Sequence, residues 1–263
     1  METGEQFIRK LLQSGRCSFT MEEAARELGK TGLALNLVLQ RLKKAHWIIL
    51  VSRGFYLALD VQQQATGKLD PIWFVEDWAS YLKMNYYVGG LSAAALHGAS
   101  HQQPMQFQVF SDRQVRSIKR QGVQISSFYK KSILLEWREQ RKSPSGYFHI
   151  SNPELTAYDM LAFPRCCPSL DHAATVLVEL AEVIDAKRLA DLPRAGCMLS
   201  SLQRLGWLLE YVKWPEKAER LHKELARISL NWAKLESRLP AGGNRNDRWR
   251  VLENADVQPD IER

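Results

Sequence analysis

The chain has 263 residues, 45% hydrophobic and 25% charged, a balance that excludes wholesale disorder and fits about two domains. Lys and Arg number 36 against 29 Asp and Glu, and the resulting formal charge of +7 favours an acidic partner, nucleic acid first. No run of about 18 apolar residues occurs, and Met1-Glu2-Thr3-Gly4-Glu5 is acidic where an export signal is basic, so the expectation is a cytoplasmic protein without a membrane partner.

The first 60 residues read as three helices and a hairpin. Phe7, Ile8, Leu11 and Leu12 form the apolar stripe of a first helix that Gly15 ends. Thr20 is an N-cap before Met21-Glu22-Glu23, with acids where the helix dipole favours them. Ala24, Ala25 and Leu28 supply that second helix's apolar face. After the turn Gly29-Lys30-Thr31-Gly32, Thr31 can cap a third helix running to about Ala45. Leu35, Val38, Leu39 and Leu42 follow the i, i+3, i+4, i+7 rule and face the core, which turns Asn36, Gln40, Arg41, Lys43 and Lys44 outward. Trp47–Val51 and Phe55–Leu59 flank Ser52-Arg53-Gly54 as a wing-like hairpin. This is the order of a winged helix-turn-helix domain.

DNA is the natural ligand of such a surface. A recognition helix enters the major groove, and cations and helix N-termini hold phosphates. Asn36 and Gln40 carry amides that bond an adenine edge, and Arg41 reaches guanine or phosphate. Lys30, Lys43, Lys44 and Arg53 are placed for phosphates, and Thr31 at the helix start belongs to the same DNA-binding surface.

Residues 61–71 are polar with Gly and Pro, and read as a linker. A helix is predicted from Ile72 to Met84, then a short strand at Tyr86–Val88, a tight turn at Gly89-Gly90 and a small-residue helix over Leu91–His97. Phe107–Phe110 has strand composition, Val115–Arg120 and Val123–Tyr129 read as a hairpin, and Ile133–Trp137 and Tyr147–Ile150 add strands. Ser151-Asn152-Pro153-Glu154 opens a helix reaching about Phe163. Helices follow at Leu170–Asp185, Met198–Tyr211 and Pro215–Ile228. The fold class is therefore α+β: a winged helix over 1–60, then a larger mixed α/β domain over 72–239 ending in a helical layer. Residues 240–263 are expected to be a polar, mobile tail.

Between residues 113 and 142, nine basic side chains face only Glu136 and Glu139. Arg113, Arg116, Lys119, Arg120, Lys130 and Lys131 make this a second basic surface, either a solvated strand edge or a polyanion-facing one.

No constellation points to catalysis. Gly89-Gly90 with Ser92 resembles the phosphate-holding turn that opens a nucleotidyltransferase, but Val109-Phe110-Ser111-Asp112 offers one acid where two-metal chemistry needs a pair. His97 and His101 are i, i+4 but Gly98 interrupts them, and His97 reads as a helix C-cap. Cys166-Cys167 reads as buried thiols, and with Cys17 and Cys197 shows no zinc spacing. His149 and Asp159 lack a marked serine nucleophile. No catalytic residue, cofactor or metal is predicted.

Three segments carry a family resemblance. Tyr87–Gly98, YVGGLSAAALHG, resembles the "sALaxhG" segment of the AbiEi antitoxin family. Ser151–Leu161, SNPELTAYDML, is similar to its "PE-x-TxxDxL" helix start, and Ser201–Glu210, SLQRLGWLLE, to its "QRLGxLLE" helix. They fall in the family's order behind a winged helix, over roughly residues 5–230. The resemblance implies a type IV toxin–antitoxin antitoxin that represses its own operon by binding inverted repeats in double-stranded DNA. Its implied second partner is a cognate nucleotidyltransferase toxin, countered through the C-terminal domain. It is expected to be a monomer when free and paired on DNA. Gly89, Gly98 and Gly206 then read as backbone necessities, and Thr156 with Asp159 as helix-start hydrogen bonding. The alternative is a degenerate nucleotidyltransferase-like enzyme with the winged helix as targeting module. A weaker third reading is a protein-only adaptor.

Overall fold

The computed structural model describes residues 3–66, 69–99, 105–120 and 122–260, and the chain is of the expected α+β class. It forms two compact units. The first comprises Met1–Tyr87, Val109–Ile133 and Gln140–His149. The second comprises Val88–Gln108, Leu134–Glu139 and Ile150–Arg263.

The first unit opens with α1 (Gly4–Gln13), started by a reciprocal cap between Thr3 and Gln6. Strand β1 (Ser18–Thr20) leads directly into α2 (Met21–Leu28), where the Thr20 hydroxyl accepts from the Glu23 N–H as predicted. Helix α3 (Gly32–Lys44) and strands β2 (Ile48–Ser52) and β3 (Phe55–Ala58) follow. The strands form an antiparallel sheet in the order β1-β3-β2, with Phe19 opposite Tyr56 and Leu50 opposite Tyr56. Phe7, Ile8, Leu11, Phe19, Leu28 and Ile48 make the core on which α3 rests.

The stretch expected as a linker holds a short helix, α4 (Val61–Thr66). The single helix expected from Ile72 is instead a 3-10 turn, Pro71–Trp73, and α5 (Val75–Leu82), because Phe74 between them leaves the helical region at φ −138°. Helix α5 buttresses the hairpin. Asp77 accepts from the Ser18 hydroxyl, and the Tyr81 hydroxyl donates to the Arg53 carbonyl at 2.9 Å.

A six-stranded sheet is built from β4 (Tyr86–Val88), β5 (Phe107–Ser111), β6 (Ile118–Arg120), β7 (Val123–Tyr129), β8 (Arg138–Ser143) and β9 (Gly146–Ser151), in the order β6-β7-β5-β4-β9-β8. The rings of Tyr87, Phe110 and Phe128 stack in series at 5.3 and 4.8 Å. The strand expected at Ile133–Trp137 is displaced: Leu135–Trp137 is a 3-10 turn, and the strand begins at Arg138.

The second unit is mostly helical: α6 (Gly90–Leu96), α7 (Pro153–Ala162), α8 (Leu170–Val183), α9 (Ala186–Asp191), α10 (Leu199–Tyr211) and α11 (Pro215–Leu225). Helix α7 is buried from Pro153 to Leu161 and packs against α6, α8 and α10. Its start is held as predicted: the Asn152 side chain accepts from the Leu155 N–H at 3.0 Å, and the Thr156 hydroxyl donates to the Asn152 carbonyl at 2.8 Å. The expected mobile tail is a correction. Strands β10 (Ala233–Lys234), β11 (Asn244–Asn246) and β12 (Val251–Glu253) form a small sheet, and Trp249, Val251 and Val257 are buried. A polar segment with one large apolar anchor every few residues packs as core while its composition reads as coil.

Glu154 in α7 is 1% exposed. One carboxylate oxygen accepts from the Asp185 N–H at 2.6 Å and the other has no partner. Burial pushes its pKa up, against that hydrogen bond. The folded chain therefore binds this proton more tightly than the unfolded chain. The associated stability is present below the ordinary carboxylate range and is lost as pH rises through the folded value. Urea melts of wild type and Glu154→Gln from about pH 4 to pH 7 are expected to show the variant gaining on wild type as pH rises. A pH-independent difference would refute the assignment.

Candidate nucleic-acid interface

Helix α3 is presented by its core face. Gly29, at φ +61°, closes α2 in the left-handed region, and α3 restarts three residues later. Leu35, Leu39 and Leu42 are buried as phased, while Val38 is only half-buried. The opposite face carries Asn36, Gln40, Arg41, Lys43 and Lys44, all exposed. Thr31 is at the N-cap as expected, but its hydroxyl makes no capping hydrogen bond, leaving the first-turn N–H groups open to an external acceptor. Lys30 is half-buried and Arg53, on the hairpin turn, is exposed.

Acid pairing is partial on the first two helices, where Arg9 and Arg26 meet no carboxylate among the described residues. On α1, α2 and the loop between them, Lys10 pairs with Glu27 and Arg16 with Glu23. Among the described residues, Lys30, Arg41, Lys43, Lys44 and Arg53 meet no carboxylate. Uncompensated cations flank the polar amides, as a phosphate-positioned, base-reading helix requires.

Two apolar residues share this face and are not marked by the polar pattern of the sequence. Leu33 and Leu37 are 76% and 45% exposed on this same face. Their signal was phase: both fall outside the Leu35–Leu39–Leu42 stripe. Apolar side chains there suit thymine methyl groups.

The residues of the second basic stretch differ in their surroundings. Arg113 donates to the Leu82 carbonyl, and Arg116, Lys119, Arg120 and Lys131 are exposed. Lys130 instead donates to the Tyr87 hydroxyl at 3.0 Å and lies over that ring.

The other candidate constellations are occupied by structural roles. Gly90 opens α6 at φ +56°, and a Cβ there would meet Cys166 Sγ at 2.1 Å and Gln108 Oε1 at 2.2 Å. Gln108 Oε1 also accepts the Leu91 N–H at 2.7 Å, so this helix start is filled by protein where a phosphate cradle would be open. The glycine need predicted at Gly89 lies at Gly90; Gly89 itself is extended, at φ −134°. The Asp112 carboxylate bonds the backbone N–H and side-chain amide of Asn85. His97 is the C-cap of α6, its Nε2 2.8 Å from the Ser151 carbonyl, while His101 lies outside the described residues. His149 meets Glu76 at 3.2 Å. All four cysteines are free and buried. Desolvation pushes the thiols of Cys17 and Cys167 up to about 12 and that of Cys166 well above its ordinary value, so all three are protonated at neutral pH. No group of three or more His, Cys, Asp or Glu among the described residues is arranged for a metal, and no described helix is long and apolar enough to cross a membrane.

Residues 87–211 match the family model of the AbiEi antitoxin C-terminal domain. No curated protein matches the chain. Among solved structures, the RV2827C protein from Mycobacterium tuberculosis is similar over 94% of this chain and 90% of that chain, with a TM-score of 0.69 at 14% identity. At that identity the likeness is one of fold.

Proposed function

From the AbiEi antitoxin C-terminal domain that places this chain in the AbiEi antitoxin family, we propose a DNA-binding autorepressor and antitoxin, with residues 1–60 acting as a winged helix. The observation that carries the DNA half is the outer face of α3, where Asn36, Gln40 and Arg41 stand exposed among cations that no acid compensates. Arg53 on the hairpin turn is the wing's phosphate contact. Two copies would occupy inverted repeats upstream of the gene, one recognition helix per half-site. The antitoxin half counters a cognate toxin, a nucleotidyltransferase by family resemblance, through the C-terminal domain.

A mobility shift with the DNA upstream of its own gene, against unrelated DNA at two salt concentrations, tests this reading. Wild type is expected to prefer the upstream fragment. Asn36→Ala/Gln40→Ala/Arg41→Ala is expected to lose about 100-fold or more on that fragment only, since each bidentate base contact is worth about 1–3 kcal/mol. Lys43→Gln/Lys44→Gln should weaken both DNAs alike and reduce the salt slope by about 2, near 0.9 per phosphate contact. Equal wild-type binding to both DNAs would reject operator reading.

A further inference from the structure

Within the first unit, the end of β2, helix α5 and the segment 113–120 enclose a groove of about 780 Å³. Arg53, Arg113, Arg116, Lys119 and Arg120 line it, and no acidic residue does. Among the described residues none of these five cations meets a carboxylate, and of their side chains Arg113 alone has a hydrogen-bond partner, the Leu82 carbonyl. Two further lining residues bring unmet polar atoms. Trp78 is 1% exposed with its indole N–H unpartnered, and Ser52 has a buried hydroxyl oxygen likewise without a partner.

We infer that this groove binds the phosphodiester backbone of single-stranded nucleic acid. Its volume is that of a ligand cleft, not of a duplex-sized face. A duplex displays its phosphates on a stiff convex surface and cannot follow a concave groove of this size, whereas a flexible single strand can lie along it. A positively charged groove that tracks the backbone is how proteins hold single strands without reading sequence. No stacking platform is offered, because Trp78, the one aromatic lining residue, is buried. Binding is therefore backbone-led, tolerant of sequence and steeply salt-dependent. A free nucleoside triphosphate shares the phosphate chemistry, and the test separates the two. The inference does not rest on operator reading by α3.

The experiment is fluorescence anisotropy on the full chain with a labelled mixed-sequence RNA or DNA strand of roughly 12 nucleotides. Unlabelled duplex of the same sequence and ATP serve as competitors. Arg116→Gln/Lys119→Gln/Arg120→Gln, all at exposed positions, is compared with wild type after both are shown to melt at the same temperature. The expected result is a loss of at least about 10-fold in strand affinity and a fall of about 2 in the log–log salt slope, near 0.7 for each phosphate that the variant leaves unneutralised. Asn36→Ala/Gln40→Ala/Arg41→Ala should leave strand binding unchanged while abolishing any operator preference, which keeps failure of one reading distinct from failure of the other. Absence of strand binding, indifference to the groove substitutions, or equal competition by duplex overturns the inference. Displacement by ATP at matched phosphate concentration overturns the strand as ligand and leaves the free nucleotide.

Discussion

Trp249→Ala is expected to cost about 3–5 kcal/mol, the range for emptying a fully buried Trp site, and to lower the melting temperature by about 10 °C for a protein of this size. The indole is completely buried against α10. A Cβ on Gly206 would lie 1.9 Å from its ring, so the glycine is there to let that ring approach. The indole N–H donates to Glu210 at 2.6 Å, and the ring of His222 meets it edge-on at 5.2 Å. Gln203 Nε2 donates to the Trp249, Arg250 and Asn231 carbonyls, sewing the segment to the helix. Thermal melts by near-ultraviolet circular dichroism check the prediction. Gly206→Ala reports the same contact from the other side, and a shift under about 2 °C for both would mean the packing is not what holds this segment.

Gly90→Ala is expected to destabilise by about 3 kcal/mol or more. A left-handed φ of +56° costs a non-glycine residue about 1 kcal/mol. The new methyl group would also stand inside contact distance of Cys166 Sγ and Gln108 Oε1, and overpacking of that kind costs about 1–3 kcal/mol. If Gln108 swings away, it forfeits its bonds to the Leu91 N–H and the Cys166 carbonyl, both at 2.7 Å and both buried. Chemical denaturation of the variant measures the loss. A change below about 1 kcal/mol would show that this helix start is looser than its geometry.

What could be read from the chain alone follows from how local each feature is. The phase of Leu35, Leu39 and Leu42 places α3 and turns Asn36 and Gln40 outward, because one helix period decides both. The Thr20 cap and the Asn152-Pro153 helix start are equally local. Strand β1 escaped because three residues, Ser18–Thr20, hold no pattern of their own and are strand only by pairing with β3. Strand β8 escaped for another reason. Its sequence, REQRKS, is that of an edge strand, where charge blocks further pairing and masks strand composition. The groove was hidden by distance along the chain: Ser52, Trp78 and Arg116 are brought together by tertiary structure alone. The segment around Trp249 reads as coil because its burial depends on a glycine more than 40 residues earlier.

The four buried thiols give the molecule a built-in clock. Held protonated or shielded, they are poor nucleophiles in the folded chain and ordinary ones once exposed. Alkylation in native buffer therefore proceeds through opened forms of the protein, and at high reagent concentration its rate approaches that of opening. Cys17 belongs to one compact unit and Cys166, Cys167 and Cys197 to the other. The extent of labelling at each site thus times the opening of each unit separately, with no engineered probe.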